Sequence, residues 1–291
     1  MYAFLRFIGS QHWLRFGIRD RVIRRFCNPD QVTSVEFESD FFGFRYKGDL
    51  ASYIDWSTFF YGAYERGNLL FLKSLVKTRQ DKTGQDKTIF VDIGANVGVH
   101  SLNMSQFCSD VHSFEPNPVV RGKLEEKIRM NIVKNIVVHG VGVGMVNEEL
   151  PYYAPKGCNQ GTGSFIEGYS LNNDNNGILL KLVHGDEYFE KLRLDQIDII
   201  KIDVEGFEKN VLLGLKKTLA KYRPIIFLEF SESTKQSFSD YDEFIDSFPS
   251  RYSVRRIVHD RPYMGIFNMS VNQLENFDFK SSGGDILIYP D

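Results

Sequence analysis

Between residues 89 and 230, short apolar runs alternate with helical segments, and this alternation constrains the fold more than anything else in the chain. Continuous apolar runs of strand length joined by helices are the mark of a parallel sheet buried on both faces. The strands read at 89–93, 111–114, 136–139, 197–202 and 225–230. Helices read at 97–107, 119–132 and 207–221, the last stopped before Pro224. A helix near 241–248 and strands at 253–258 and 285–289 follow. The pattern predicts an α/β fold with a seven-stranded, mostly parallel sheet and helices on both faces.

The remainder of the 291 residues sorts around that core. A hydrophobic fraction of 42% and a charged fraction of 25% suit a globular chain and exclude disorder, collagen and coiled coil. The longest unbroken apolar run, Met1 to Leu5, has five residues. That is too short for a membrane span or a signal-peptide core. Residues 1–76, rich in aromatics and Arg, read as an amino-terminal extension, 77–88 (KTRQDKTGQDKT) as a polar linker, and 89–291 as one domain. Between Phe4 and Phe26 stand six Arg and a single acid, Asp20. The stripe Leu14, Ile18, Val22 and Phe26 is interrupted by Arg15 and Arg19, so the segment reads first as a helix packed on its own domain or in a homo-oligomer. Peripheral contact with an anionic membrane surface is the other reading. A net charge of −3 argues against a nucleic-acid partner. Three scattered cysteines, Cys27, Cys108 and Cys158, fit a reducing, cytoplasmic compartment. The Gly- and Asn-rich stretch 155–177 reads as a loop beside a ligand site, and 259–283 as a connection whose aromatics cap the core or close over a ligand.

The sharpest motif is Asp92-Ile-Gly94-Ala95-Asn96-Val-Gly98, directly after the first strand. Glycines there allow a sharp turn and close backbone approach, and the following helix start offers free N–H groups. The spacing is GxNxG, not the GxGxxG of a pyrophosphate loop, which points to a ligand without a diphosphate. Glu115, 21 residues after Gly94 in Phe114-Glu115-Pro116-Asn117-Pro118, stands where a carboxylate accepts from both ribose hydroxyls. Together they indicate a nucleoside-containing ligand. The third motif is Lys201-Ile-Asp203-Val-Glu205-Gly206-Phe-Glu208. Unpaired charges are costly inside a buried strand, so these groups either form an ion pair supporting the loop or act on a ligand.

VDIGANVG, FEPNP, DIIKIDVEGFE and RPIIFLEF resemble the FkbM-type branch of the S-adenosylmethionine-dependent class I methyltransferases, over about half the chain. Tyr61-Gly-Ala-Tyr64-Glu65 is similar to a piece such proteins carry before the catalytic domain, whereas Val183-His184-Gly185-Asp186 departs from their more usual Leu-Asp pair. The resemblance implies a Rossmann-like class I methyltransferase. It implies that Asp92, Gly94, Ala95, Asn96 and Gly98 hold the methionine part of S-adenosylmethionine, and Glu115 the ribose. It further implies that Pro116 and Asn117 border the adenosine, that Gly142 flanks the adenine, and that Tyr64, Glu65 and Asp203 complete the cofactor site. Asp203 and Glu205 would face the methyl group and the acceptor.

Family members are associated with methylation of sugar and natural-product hydroxyls, so a small-molecule or glycan hydroxyl is the expected acceptor. A hydroxyl is a weak nucleophile, and a base within reach adds about 10²–10⁴-fold. Asp203 or Glu205 is the expected base, restrained by Lys201, with His184 and Glu229 in reserve. A divalent ion on Asp186, Asp203 and Glu205 lacks the spacing of a known oxygen-ligand loop, and no metal is assigned. The competing readings are a nicotinamide-dependent oxidoreductase, against which the missing GxGxxG speaks, and a non-catalytic cofactor-binding scaffold.

Overall fold

The structure is a computed structural model and describes residues 1–152, 178–281 and 283–291. The expected loop at 155–177, with Cys158, lies outside the described residues.

The chain opens with α1 (Tyr2–Gly9) and α2 (Phe16–Phe26). The stripe expected to bury α2 is not its inner face: Phe26 is 61% exposed, while Arg19, Ile23 and Cys27 are buried. The Arg19 guanidinium makes this possible by donating to the carbonyls of Gly9 and Leu14, so the buried cation is not left unsolvated. An antiparallel hairpin, β1 (Glu36–Phe41) and β2 (Phe44–Asp49), leads into α3 (Tyr53–Tyr61) and α4 (Arg66–Thr83). Helix α4 runs through much of the stretch expected to be a linker. Its polar turns face solvent, and Arg79 ion-pairs with Asp198 at the foot of the sheet.

The alternating region then delivers β3 (Ile89–Ile93), α5 (Val99–Met104), β4 (Asp110–Phe114), α6 (Pro118–Met130) and β5 (Ile136–His139). A separate three-stranded sheet comprises β6 (Gly142–Gly144), β7 (Glu148–Tyr152) and β8 (Ile178–His184). The chain continues through α7 (Gly185–Leu192), β9 (Ile199–Ile202), α8 (Glu208–Gly214), α9 (Lys216–Tyr222) and β10 (Ile225–Phe230). It ends with α10 (Glu232–Ser237), α11 (Tyr241–Ile245), β11 (Tyr252–Tyr263), β12 (Phe267–Asn276) and β13 (Gly284–Pro290).

The main sheet has eight strands, in the order β12-β11-β13-β10-β9-β3-β4-β5, where seven were expected. The additional strand, β12, comes from the stretch read as a connection, and β11 runs on to Tyr263 to pair with it. Phe267, Met269 and Val271 alternate with Asn268, Ser270 and Asn272 along it, yet most of its residues are exposed, so it stands outside the buried core. Strands β5, β4, β3, β9 and β10 are parallel, and β13 lies antiparallel between β10 and β11. The order reverses beside β3, whose five residues are all buried. Ligands of open α/β sheets bind at such a reversal, outside the carboxyl ends of the strands.

Period two divides the core. Ile200, Ile202, Ile226 and Leu228 face one apolar layer, and Phe90, Ile199, Phe227 and Leu287 face the other, with Phe71 and Leu72 of α4. On this second face the register aligns Asp92 with Lys201, Lys201 with Phe227, and Glu229 with Asp285. Every one of these ionisable residues therefore stands near the carboxyl ends of the parallel strands, under α4 and α5.

Candidate functional site

A cavity of about 170 Å³ opens at the reversal point. Gly94, Ala95, Asn96, Glu115 and Pro116 line it, together with Tyr64, Lys201, Asp203, Glu205 and Glu229. Ten of the residues singled out from the sequence, Glu229 among them, are thus brought together.

Gly94 is required where the two loops cross: its φ is +82°, and a Cβ there would lie 1.8 Å from the Asp203 carbonyl oxygen. The amides of the turn itself are spent within the protein. Those of Gly94 and Ala95 donate to the Phe114 carbonyl, that of Asn96 to the Glu115 carboxylate, that of Val97 to Asn96 Oδ1, and that of Gly98 to the Ala95 carbonyl. A turn with its donors spent offers no cradle to a diphosphate. Glu115 is buried, and burial raises its carboxyl to about 7 despite bonds from the Asn117 and Asn96 amides at 2.8 and 3.0 Å.

The buried Lys201 ammonium lies 3.1 Å from Asp203 Oδ2, 3.4 Å from Asp92 Oδ1 and 3.3 Å from the Gly94 carbonyl. Burial alone would lower its pKa, but Asp203, Asp92 and Glu65 outweigh this and hold it above the usual lysine range. The ion-pair reading of this motif is present, and the pair also lines the cavity. Glu229 is pushed up by burial and by Asp203, so it is held protonated through neutral pH. Glu65 is raised by burial, Asp203 and Asp285, and Asp285 by burial and Asp203. Asn68 of α4 joins the group by donating to Asp285 at 2.9 Å and to Glu65 at 3.2 Å.

Other residues expected in the site stand behind it or outside the cavity wall. Asp92 lies beneath, where Ser101 Oγ donates to it at 2.6 Å and meets Ser113 Oγ at 2.7 Å. Gly98 packs on Leu124 and Gly142 on Leu182, each too closely for a Cβ. Asn117 caps α6, its side chain accepting from Val119 and Val120 ahead of a Pro at the first helical position. Asp186 accepts from Lys217 and Thr218 at the start of α9, so it does not converge with Asp203 and Glu205. His184 begins α7 and does not line the cavity. Glu65 lies behind Tyr64, 3.6 Å from His100 Nε2.

Sequence reasoning missed His100, Tyr53, Tyr152 and Asp285. His100 lines the cavity and is held neutral, down to about 3, by burial and Lys201. Its only sequence signal is its place two residues after Gly98. Asp285 was readable only through its register with Glu229. The role of Glu208 was missed too: its carboxylate accepts from the Val204 and Gly206 amides at 3.0 and 3.1 Å and from Thr234 at 2.8 Å. It braces a loop in which Glu205 adopts a φ of +53°.

The sheet order, reversing beside β3 and carrying an antiparallel strand between its last parallel one and β11, is that of the Rossmann-like class I methyltransferases. Residues 92–253 match the family model of the methyltransferase FkbM domain, and the chain belongs to that family. The hexuronic acid methyltransferase AglP of Haloferax volcanii is 24% identical over 142 residues, covering 49% of this chain and 56% of that protein. Methyltransferase 1 of Beauveria bassiana is 25% identical over 147 residues, covering 45% of this chain and 59% of its own length. The chain thus spans less than two thirds of these curated relatives. A crystal structure of a methyltransferase FkbM from Methylobacillus flagellatus aligns over 70% of this chain and 44% of its own, at 19% identity and a TM-score of 0.45.

Proposed function

We propose that this chain transfers a methyl group from S-adenosylmethionine to a hydroxyl of a sugar, glycan or natural product. The observation that carries the reading is one cavity lined both by a buried carboxylate beside a diphosphate-excluding turn and by a lysine–carboxylate cluster. The residues suit this cofactor. Each Glu115 oxygen takes one amide bond and keeps a lone pair for a ribose hydroxyl. The acidic cluster suits a cationic sulfonium. When bound, the cofactor supplies an activated methyl with a neutral thioether as leaving group.

The chain's own residues then orient the acceptor and take its proton. With the cofactor bound, its methyl would go to the acceptor oxygen and its sulfur leave as the thioether, while Asp203 or Glu205 would take the hydroxyl proton. Lys201 fixes Asp203 at 3.1 Å, and Glu229, raised by burial and by Asp203, stands beside it. A sugar hydroxyl is supported by the relative named for hexuronic acid methylation. The direct test is thermal shift with S-adenosylhomocysteine and NAD, followed by labelled-methyl transfer to fractionated glycans and lipids. Stabilisation by S-adenosylhomocysteine and a labelled fraction are expected, with loss of labelling in Glu205→Gln or Asp203→Asn. Stabilisation by NAD alone would return the chain to the oxidoreductase reading, and cofactor binding with no labelled fraction would favour the scaffold.

The same reading places the chain in the cytoplasm, with support from the buried, unbridged thiols of Cys27 and Cys108. None of the described helices is long and apolar enough to cross a membrane. Phe4, Phe7 and Trp13 are 64%, 64% and 57% exposed, and several amino-terminal arginines accompany them. This surface supports peripheral contact with anionic lipid headgroups.

A further inference from the structure

A second cavity, of about 320 Å³, adjoins the first and shares with it the residues Tyr53 and Tyr64, whose rings meet edge to face at 6.2 Å. Its walls come from α2, from α3 with the start of α4, and from the β11–β12 hairpin. Two arginines, Arg19 and Arg66, line it. Arg19 is 4% exposed and spends its donors on the backbone carbonyls of Gly9 and Leu14 and on the His12 ring. Arg66, half-buried at the first position of α4, has its guanidinium 5.7 Å from the Phe42 ring and no carboxylate partner among the described residues.

Of the remaining titratable groups of this cavity, Asp260 attracts the Arg19 charge across space, and none ion-pairs with Arg66 among the described residues. Burial, with Arg66 and Arg19, holds the His12 ring neutral, down to about 4. Glu65 is biased toward its protonated form by burial and by Asp203 and Asp285. Asp260 is exposed at the hairpin and forms no ion pair with either arginine among the described residues. Half-buried cations without counter-ions are costly, and an anion entering the cavity would relieve that cost. Phe16, Tyr53 and Tyr61 add aromatic surface on which a ring can lie.

We propose that this second cavity is the acceptor site, and that its acceptor is a hydroxyl-bearing ring with an anionic group, carboxylate or phosphate, held by Arg66. The inference rests on the methyl transfer proposed for the first cavity. The acceptor hydroxyl meets the donor side at the Tyr53–Tyr64 edge, where Asp203 and Glu229 line the neighbouring space. The anion sits at the opposite, positively charged side.

The test is calorimetric titration of the full chain, saturated with S-adenosylhomocysteine, with D-glucuronate, D-glucose 6-phosphate and D-glucose. At least one of the two anions is expected to bind about tenfold or more tightly than glucose, the scale of a charge-assisted hydrogen bond. Arg66→Gln is expected to erase that preference, and Arg66→Lys to keep part of it, both with unchanged affinity for S-adenosylhomocysteine and an unchanged thermal melt. Which anion binds better tells carboxylate from phosphate. Binding of glucose as tight as that of both anions, absence of binding by either anion, or a preference that survives Arg66→Gln overturns the proposal. Failure of the wild-type chain to bind S-adenosylhomocysteine marks instead a failure of the underlying methyltransferase reading.

Discussion

Glu115 holds two backbone amides and still turns its carboxylate to the cavity, so one side chain both shapes the glycine turn and offers itself to a ligand. The two uses separate by charge. Glutamine keeps the shape but has a single acceptor oxygen, so it satisfies only one of the two amides, and it loses the charge that strengthens a bond from a hydroxyl. Glu115→Gln is therefore expected to lower the melting temperature modestly, because one of the Asn96 and Asn117 amides is left facing the glutamine NH2. It is expected to weaken S-adenosylhomocysteine binding about 10- to 100-fold, the equivalent of about 1.5–3 kcal/mol. With the wild-type carboxyl raised to about 7, affinity should fall as pH drops from 8 to 6, and the variant should lose that dependence. Calorimetry at the two pH values checks both statements, and an unchanged affinity in the variant removes Glu115 from the site.

At the level of elements, the loop between β9 and α8 governs the site, and Glu208 governs the loop. Glu208→Ala would release the Val204 and Gly206 amides and Thr234 Oγ1 while Glu205 is left in its left-handed conformation. It is expected to cost about 2–3 kcal/mol of stability, as for a buried network stripped of its acceptor. Turnover should drop while S-adenosylhomocysteine affinity holds, because Glu115 and the glycine turn lie on other elements; denaturant melts and single-turnover labelling report the two effects. The core strands were legible because buried parallel strands are continuously apolar. Glu115 and the Lys201–Glu208 segment were legible because charge at a strand end is conspicuous. Asp285, His100 and Tyr53 were not, since they meet the site only through sheet register, helix phase and the packing of the extension. The alternation of Phe267, Met269 and Val271 with polar residues marked strand β12 as well; the strand is largely exposed, so this alternation reports the pleat and not a buried face.

Across the whole molecule, the carboxyl cluster links stability to pH. Glu65, Glu229 and Asp285 are all raised above their ordinary values, chiefly by burial. A carboxyl raised in the folded state retains a proton that the unfolded chain has lost. The folded state therefore binds more protons, and its stability falls as pH rises from the ordinary carboxylate range through neutrality. Lys201, raised as well, adds to this decline only at alkaline pH, since its contribution stays intact below the unfolded lysine value. The melting temperature of the ligand-free chain should thus decline between pH 6 and 9, each such group contributing up to about 1.4 kcal/mol per pH unit within its window. Glu229→Gln should flatten the slope, and a flat wild-type profile would contradict the assignment. The exposed amino-terminal aromatics permit a separate test on the same scale. Replacing Phe4, Phe7 and Trp13 by Ser should abolish sedimentation with phosphatidylserine vesicles and leave the circular dichroism unchanged. If the wild-type chain does not sediment, no lipid contact exists.

The boundary between the family-matched segment and its surroundings has a practical consequence. Residues 92–253 contain the glycine turn, Glu115, Lys201, Asp203 and Glu229, whereas His12, Arg19, Tyr53, Arg66 and the β12 residues of the second cavity all lie outside that range. Donor chemistry and substrate choice would then be written in different stretches of the gene. A chimera that exchanges the flanking stretches between two relatives should inherit the appetite of one and the reaction of the other, which makes this architecture a natural chassis for redirecting methylation.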